Sequence, residues 1–307
     1  MNLYFAPLEG VTTYIYRNAH NQMFGGCDSY FAPFITPSDI EKISMKNLRD
    51  ILPEKNSDVN LKIQVLTSKS ESFFKFAEKV RPLGYDEINI NLGCPSGTVV
   101  KKGRGSGFLK HREELDRFLY EIFSKTDFKV SVKTRIGFES GSEMDELLEI
   151  YNKYPISLLT VHPRTRAAYY SGEPDYEVFD KVYENSKNPV CFNGNVFSAK
   201  NYKDITVKYP DLDSVMIGRG AIMNPAIFRE INGGPEITTE ELLEFSHLLI
   251  GNYMEVLKSD YFTLNKLKEL WMYGMWNFPD EKKILKEIKK STKVSDLIRA
   301  IEKLPDI

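Results

Sequence analysis

The sequence from residue 87 to residue 135 reads EININ at 87–91, REELDRFLYEIF at 112–123 and KVSVKTR at 129–135. The first and third segments are short and rich in residues that favour strands. In the middle segment Leu115, Phe118, Leu119 and Ile122 fall on one face of a helix. Two such strands with a helix between them predict a parallel pair joined by a crossover helix.

The same unit recurs from the N-terminus to about residue 230. Eight β-rich runs alternate with helical patterns, at 3–7, 28–33, 62–66, 87–91, 129–135, 157–162, 189–193 and 214–218. Eight strands with intervening helices specify an α/β fold of the (β/α)8 type, the TIM barrel. A doubly wound sheet competes with it, but that fold usually needs fewer strands and a glycine-rich turn after the first strand. Here Leu8-Glu9-Gly10-Val11 follows instead.

The pattern changes after Gly233-Gly234-Pro235, beyond which only helix signals occur. Thr238 or Thr239 can cap a helix that continues through Tyr253, and Pro279 can open a later helix. We therefore predict a barrel domain at residues 1–234 and a small all-helical domain at residues 235–307.

The composition is that of a globular protein with a large core, since 42% of the 307 residues are hydrophobic and 27% are charged. A net charge of -2 lacks the basic excess of most nucleic-acid binders, so any such contact needs a local patch. Three widely separated cysteines fit neither a disulfide framework nor a zinc site. With no export signal and no long apolar run, we expect a cytoplasmic monomer that is not embedded in a membrane.

Polar residues follow or end most of the predicted strands, where a TIM barrel places its active site. They are Gln64, Asn91, Lys133, Arg135, His162, Asn193, Gly194, Asn195, Gly218 and Arg219. A single strand lysine or glutamine is more often a satisfied polar group at the barrel mouth. Six strand ends that converge on one face favour a functional site.

The loops after the last two strands predict an anion site. Both contain glycine, which lets backbone N–H groups approach an anion, and Arg219 adds positive charge. Asn224 and Pro225 predict the N-cap and first residue of a short helix whose positive end faces the same pocket. The alternative is that these glycines only form turns.

The remaining polar residues favour a flavin over a sugar phosphate. A lysine such as Lys133 can stabilise the anionic reduced ring, and Gln64 can bind its pyrimidine end, while His162 could do either. Cys94 lies in a Gly-Cys-Pro turn before a basic, glycine-rich stretch at 96–107, predicted to be a mobile loop, and we expect its thiol to reach a substrate. Cys27 and Cys191 fit small buried hydrophobic residues.

Six segments together resemble the tRNA-dihydrouridine synthases. They are APLEGVT at 6–12, NLGCP at 91–95, VKTRIG at 132–137, VHPRTR at 161–166, NGN at 193–195 and IGRG at 217–220. The resemblance covers the whole barrel in order. This sequence departs from the family pattern at Leu8, Thr13 and Pro163, where the family commonly has Met, Asp and Gly; none of these changes removes a side chain that the chemistry needs.

The resemblance implies FMN- and NADPH-dependent reduction of uridine to 5,6-dihydrouridine in the D-loop of tRNA, with NADH as the other possible reductant. Hydride would pass from flavin N5 to C6 of uracil while Cys94 protonates C5. Pro7, Leu8 and Glu9 would pass the flavin, Gln64, Lys133 and His162 would hold its ring, and Asn91 would orient substrate or flavin. The ribityl chain and phosphate would contact Asn193, Gly194, Asn195, Gly218 and Arg219.

Two basic patches could bind RNA although the protein is acidic as a whole. Lys282, Lys286, Lys289 and Lys293 are spaced by 4, 3 and 4 residues, which predicts one basic helix face. A solvated helix face is the alternative. A second rim would comprise Lys101, Lys102, Arg104, Arg164 and Arg166, with Arg135 also at the substrate.

Two other functions stay open. One is a flavin barrel that acts on a free small molecule, as dihydroorotate dehydrogenases do, and the other is an RNA-binding barrel without catalysis.

Overall fold

Eight parallel strands close into a barrel in the computed structural model, which describes residues 1–37, 48–273 and 281–305. They are β1 (Asn2–Phe5), β2 (Ser29–Phe31), β3 (Leu61–Val65), β4 (Glu87–Leu92), β5 (Lys129–Arg135), β6 (Leu159–His162), β7 (Val190–Phe192) and β8 (Ser214–Ile217). Each pairs with the next, and β1 pairs with β8. Each predicted run overlaps one strand, so the predicted barrel is confirmed.

Helices surround the strands and continue beyond them. Their bounds are α1 (Tyr14–Met23), α2 (Ser70–Val80), α3 (Gly97–Val100), α4 (Arg112–Phe123), α5 (Glu143–Tyr151), α6 (Tyr176–Asn185), α7 (Ala199–Lys208), α8 (Arg219–Met223), α9 (Ile227–Ile231), α10 (Thr239–Leu257), α11 (Asp260–Met272), α12 (Glu281–Lys290) and α13 (Val294–Ile301). Helix α4 has the predicted bounds. Pro279, predicted to open a helix, lies outside the described residues.

The interior of the barrel has an apolar half and a polar half. Ala6, Phe31, Leu158, Cys191 and Met216 form a small buried cluster, separate from the larger core between the strands and the helices. Because side chains alternate along a strand, one set of buried polar residues on β3, β4 and β5 faces inward, while the apolar residues between them face the helices. These polar residues include Gln64, Asn89, Asn91 and Ser131. The polar half therefore leads towards the strand ends that carry the predicted site.

The C-terminal helices pack directly on the barrel. Thr238 and Glu241 cap α10 reciprocally, as the sequence predicted for Thr238, with the Glu241 N–H donating to Thr238 Oγ1 at 3.2 Å. The ring of Phe245 on α10 lies 5.5 Å from that of Tyr16 and 5.2 Å from that of Phe24. Apolar residues of both regions form one continuous core. Among the described residues, no helix is long and apolar enough to cross a membrane.

Two predicted helix details are wrong. Helix α9 begins at Ile227 rather than at Pro225, because the Asn224 side chain turns the chain first by accepting from the Ala226 N–H at 3.0 Å. Helix α12 ends at Lys290, so Lys293 is not on it. The Asp296 carboxylate instead accepts from the N–H groups of Thr292 and Lys293 and starts α13 there.

Candidate active site

A cavity of about 240 Å³ opens at the carboxyl ends of the strands. Its lining includes predicted site residues from β1, β4, β5 and β6, namely Pro7, Leu8, Glu9, Asn91, Cys94, Lys133, Arg135 and His162. The sequence interpretation missed four other lining residues, which are Pro33, Phe34, Tyr170 and Tyr273. The residues predicted at the ends of β4, β5 and β6 thus share one cavity, whereas the residues predicted on or after β3, β7 and β8 do not line it, namely Gln64, Asn193, Gly194, Asn195, Gly218 and Arg219.

Lys133 places a partly buried ammonium group on the wall of this cavity. Its Nζ donates to Asn193 Oδ1 at 2.6 Å, and Asn193 in turn donates from Nδ2 to the Met216 carbonyl at 2.7 Å. Burial, with a smaller contribution from the Arg135 charge, lowers the pKa of Lys133 to about 8. An anion in the cavity would stabilise the charged form of this lysine.

His162 lies among these cations. Burial and the positive charges of Arg135, Lys133, Arg164 and Arg219 lower the pKa of His162 well below its usual value. The imidazole is therefore neutral at physiological pH. A neutral ring can donate one hydrogen bond to a bound ligand without adding to the local positive charge.

Arg164 and Arg219 converge beside β7 and β8. Both donate to Asn195 Oδ1, at 3.1 Å from Arg164 and 2.9 Å from Arg219. Arg164 is only 2% exposed and also donates to the carbonyls of Ser171 and Gly172, so it lies inside the site rather than on an outer rim. Two guanidinium groups at one amide oxygen concentrate positive charge, which suits an anionic group with several acceptor oxygens.

The glycines of these two loops have packing roles. A Cβ on Gly194 would lie 2.3 Å from Cζ of Phe192, and a Cβ on Gly218 would lie 3.3 Å from Cβ of Ala6. Gly194 is thus needed for packing whether or not an anion binds. The arginine geometry, and not these glycines, is the stronger indication of an anion site.

Gln64 and Asn91 form a buried pair. Asn91 donates from Nδ2 to Gln64 Oε1 at 2.8 Å, and Gln64 is fully buried. Asn91 Oδ1 accepts from the N–H groups of Gly93 at 3.0 Å and Cys94 at 2.9 Å. Asn91 therefore holds the turn that carries the cysteine.

Cys94 is half-buried at the cavity, and burial raises the pKa of its thiol. The thiol is thus protonated at neutral pH and can act as an acid. The Cys94 carbonyl accepts from Ser106 twice, from N at 3.1 Å and from Oγ at 2.8 Å. Gly105 permits this contact, since it has a φ of +55° and a Cβ there would lie 2.8 Å from the Cys94 carbonyl oxygen.

The stretch predicted to be a mobile loop is folded. Residues 97–110 form α3 and a short 3-10 helix, Gly105–Lys110, and Ser106 and Gly107 are buried against the cysteine turn. Lys101 and Lys102 are exposed, and Arg104 is partly exposed. Lys101, Lys102 and Arg104 of the predicted rim thus stand on a folded segment next to Cys94.

Arg135 ties the cysteine turn to the loop after β6. It is 1% exposed and donates from Nε to the Gly93 carbonyl at 2.9 Å. Its Nη1 donates to the carbonyls of Thr165 at 2.9 Å and Tyr169 at 2.7 Å. These backbone contacts engage a side chain that the sequence placed at the substrate, although Arg135 also lines the cavity.

Tyr170 covers part of the predicted site from that loop. Its ring centroid lies 4.8 Å from Cζ of Arg219 and 5.5 Å from Cζ of Arg135, and 5.9 Å from the ring of His162. Tyr273, which follows α11, brings the C-terminal region to the same cavity. Arg166 stacks on the rings of Phe138 and Tyr169 at 5.3 and 5.4 Å.

Comparison with known proteins identifies the family. The model of the family described as dihydrouridine synthase (Dus) matches residues 4–304. The chain belongs to the dihydrouridine synthase family. This family consists of flavin oxidoreductases, so the chain is an oxidoreductase that uses a flavin.

Curated relatives of this dihydrouridine synthase family member span most of the chain. The tRNA-dihydrouridine synthase B of Pasteurella multocida is 27% identical over 228 residues, which are 74% of this chain and 68% of that protein. Its counterpart in Pseudomonas putida is 27% identical over 256 residues, 81% of this chain and 74% of that protein. A probable tRNA-dihydrouridine synthase of Staphylococcus aureus is 26% identical over 262 residues, 83% and 78%.

Solved structures agree on the fold. Morphinone reductase in complex with tetrahydroNAD has a TM-score of 0.53 at 11% identity and covers 77% of this chain and 88% of its own. The old yellow enzyme from Trypanosoma cruzi has a TM-score of 0.51 at 10% identity and covers 77% and 89%. At these identities the likeness shows the barrel fold and nothing further.

Proposed function

We propose that this chain reduces uridine to 5,6-dihydrouridine in the D-loop of tRNA, with FMN as its cofactor and NADPH as the reductant. One observation supports it most: the Cys94 thiol and the Lys133 ammonium line a single cavity at the mouth of a barrel from the dihydrouridine synthase family. The relatives whose names specify tRNA agree with this substrate.

The cavity residues fit FMN. Lys133 has a partly buried charge with a lowered pKa, which an anionic ring would raise again, and His162 offers a neutral ring nitrogen. Arg164 and Arg219, which both donate to Asn195 Oδ1, would hold the phosphate together with Asn193 and the backbone of Gly194 and Gly218. Pro7, Leu8 and Glu9 also line the cavity. The chemistry that FMN supplies when bound is hydride transfer, from NADPH and then from N5 to C6 of uracil.

Cys94 is the proton donor in this proposal. A thiol with a raised pKa keeps its proton until C5 of uracil becomes basic, which happens only as C6 receives hydride. Asn91 fixes the position of the donor through the Gly93 and Cys94 N–H groups. The target base must leave its stack to reach the cavity, which costs little in an unpaired loop.

We further propose that residues 235–307 bind the body of the tRNA, while residues 1–234 hold the flavin and the target base. Lys282, Lys286 and Lys289 are exposed on α12, at helical spacings that place them on one face. Lys101, Lys102 and Arg104 stand beside the cysteine turn. Such side chains would contact phosphates, so they would set affinity without reading sequence.

Changing Lys282, Lys286 and Lys289 to alanine should raise the apparent KM for tRNA and leave FMN content and NADPH oxidation unchanged. Each lost phosphate contact should flatten the log-log dependence of binding on salt by about 0.7 to 0.9. The control replaces three other exposed lysines, Lys125, Lys187 and Lys203, with alanine. An equal salt slope for the two triple variants would mean that this face of α12 is only solvated surface.

Arg219→Ala should weaken FMN retention more than Lys133→Met does, because a phosphate contact supplies ground-state binding whereas the lysine mainly stabilises the reduced ring. Loss of one charge-assisted contact worth about 1.5–3 kcal/mol would raise the Kd for FMN about 10- to 150-fold. Fluorescence titration of the apoprotein with FMN measures both variants. If Lys133→Met purified without flavin while Arg219→Ala purified yellow, the roles assigned to the two residues in FMN binding would be reversed.

Two measurements test the proposed function against its alternatives. Flavin absorbance of the purified protein excludes an RNA-binding barrel without catalysis. The dihydrouridine content of tRNA from a strain that lacks this gene separates tRNA reduction from action on a free small molecule. Dihydrouridine that is unchanged at every position in the deletion strain would contradict the proposal.

A further inference from the structure

A series of hydrogen bonds crosses the polar half of the barrel interior. It begins at the amino-terminal end of the strands, where Lys62 Nζ lies 3.0 Å from Glu87 Oε2. Ser131 donates from Oγ to Glu87 Oε1 at 2.6 Å, and Asn89 donates from Nδ2 to Ser131 Oγ at 2.8 Å. Three neighbouring strands, β3, β4 and β5, thus contribute to its first part.

The series continues to the cysteine turn. Gln64 donates from Nε2 to Asn89 Oδ1 at 2.7 Å, and Gln64 Oε1 accepts from Asn91 Nδ2 at 2.8 Å. Asn91 Oδ1 then accepts from the N–H groups of Gly93 and Cys94. The chain of contacts from Glu87 to Cys94 is continuous, and we call it the interior relay.

Both ends of the interior relay impose the same direction on it. The Glu87 carboxylate can only accept, so the Ser131 hydroxyl donates to it and presents lone pairs to Asn89. The backbone N–H groups of Gly93 and Cys94 can only donate, so Asn91 must present its oxygen to them. Reversing any one amide between these ends would set oxygen against oxygen or N–H against N–H at its neighbours.

Burial makes this direction matter. Gln64, Asn89 and Ser131 are each 0% exposed, so a broken link leaves buried donors and acceptors to find new partners. In a buried network each hydrogen bond also polarises the next one. Unbroken hydrogen bonds through Asn89 and Gln64 connect Ser131 to Asn91.

We propose that Ser131 and Asn89 are positioning residues for the Cys94 proton donor, because they transmit the acceptor polarity of Glu87 through Gln64 to Asn91. Neither residue lines the cavity. They act through Asn91, whose oxygen fixes the turn that carries the thiol. The inference rests on the proposed role of Cys94 as the proton donor.

The matched pair Ser131→Thr and Ser131→Val tests the relay in the holoenzyme. Threonine and valine have nearly the same shape, and only threonine keeps the hydroxyl that both donates and accepts. We expect the rate of dihydrouridine formation to be at least about fivefold lower in the valine variant than in the threonine variant. A difference of this size corresponds to the loss of about one buried hydrogen bond. NADPH oxidation should differ by less than about twofold between them, since the relay acts on the acid of the second step.

Alkylation of Cys94 by iodoacetamide gives a second measurement that needs no RNA. Peptide mass spectrometry resolves Cys94 from the other cysteines, and the valine variant should alkylate at Cys94 about fivefold faster than the threonine variant. Equal alkylation rates and equal rates of uridine reduction in the two variants would overturn the proposal. This holds also where the two variants are equally slow. A wild-type protein that forms no dihydrouridine would refute the proposed function, while the alkylation ratio would still decide whether the relay positions the thiol.

If Ser131→Val does not fold, the other end of the relay provides the test. Glu87 is partly exposed, so Glu87→Gln and Glu87→Leu disturb the core less. Glutamine keeps an acceptor oxygen for Ser131, and leucine does not. Faster Cys94 alkylation in the leucine variant alone is the expected result, and equal rates in the two would overturn the proposal.

Discussion

Cys94→Ala should lose most uridine reduction, by about 10²- to 10⁴-fold, while it keeps FMN and oxidises NADPH at a near wild-type rate. The reason is that proton donation to C5 belongs to the second half-reaction alone. The turn itself is held by backbone contacts, from Asn91 to the Gly93 and Cys94 N–H groups and from Ser106 to the Cys94 carbonyl. Removing the sulfur leaves these contacts in place, so the loss should be chemical rather than structural.

Stopped-flow measurement of each half-reaction separates the two steps. Cys27→Ala is the matched control, because Cys27 is also a free, half-buried cysteine but does not line the cavity. It should reduce uridine normally. If Cys94→Ala slowed both half-reactions equally, Cys94 would have a structural role and the thiol would not be the acid.

Lys133→Met should slow NADPH oxidation by about 10²- to 10³-fold, the usual cost of removing one charge that stabilises a transition state in a buried site. In this variant the negative charge that develops near Lys133 as hydride is accepted would no longer be balanced by the partly buried ammonium group. Methionine fills a similar volume without the charge, so packing is preserved.

The same lysine predicts a pH dependence in the wild-type protein. Its pKa is lowered to about 8, so the ammonium is charged below that pH and becomes neutral as the pH rises through it. This pKa applies before flavin binds, and a bound anionic flavin raises it, so NADPH oxidation should fall at a pH above about 8 in the wild type and stay flat in Lys133→Met. Lys129→Met is the control, since Lys129 lies on the same strand but is exposed at its other end. A wild-type decline that persists in Lys133→Met would assign the titration to another group.

The barrel could be predicted from the sequence because its signals are local. Strand-type runs and the helix face of Leu115, Phe118, Leu119 and Ile122 depend on residues close together in the chain. Strand-end residues such as Lys133 and His162 then follow from the rule that a TIM barrel forms its site at the carboxyl ends of its strands. Cys94 and Asn91 follow in the same way.

The rest of the site depends on tertiary contacts that the sequence does not encode locally. Tyr170 reaches the cavity because Arg135 and Arg164 hold its loop by donating to backbone carbonyls. The sequence alone does not show whether the side chain of such an arginine points inward. Tyr273 directly follows α11, more than two hundred residues from β1. The sequence signal for Tyr170 is limited to the adjacent tyrosines at 169 and 170, which lie next to the predicted basic rim.

The hydrogen-bond direction inside the barrel was likewise hidden. The alternation in EININ predicts which side chains share a face, but not that Asn89 and Asn91 belong to one directed series with Gln64 and Ser131. For Lys293 the prediction from periodicity was wrong. Its spacing matched that of the other lysines on α12, but this helix ends at Lys290 and the Asp296 carboxylate caps the next helix at Lys293. Local capping prevailed over periodicity there.

The central claim is that this flavin barrel reduces uridine in tRNA. The most direct measurement incubates the purified holoenzyme and NADPH with tRNA from a strain without dihydrouridine, and then quantifies dihydrouridine by nucleoside mass spectrometry. We expect dihydrouridine to accumulate with the enzyme and not with Cys94→Ala. A holoenzyme that oxidises NADPH yet forms no dihydrouridine in any tRNA of that pool would contradict the account.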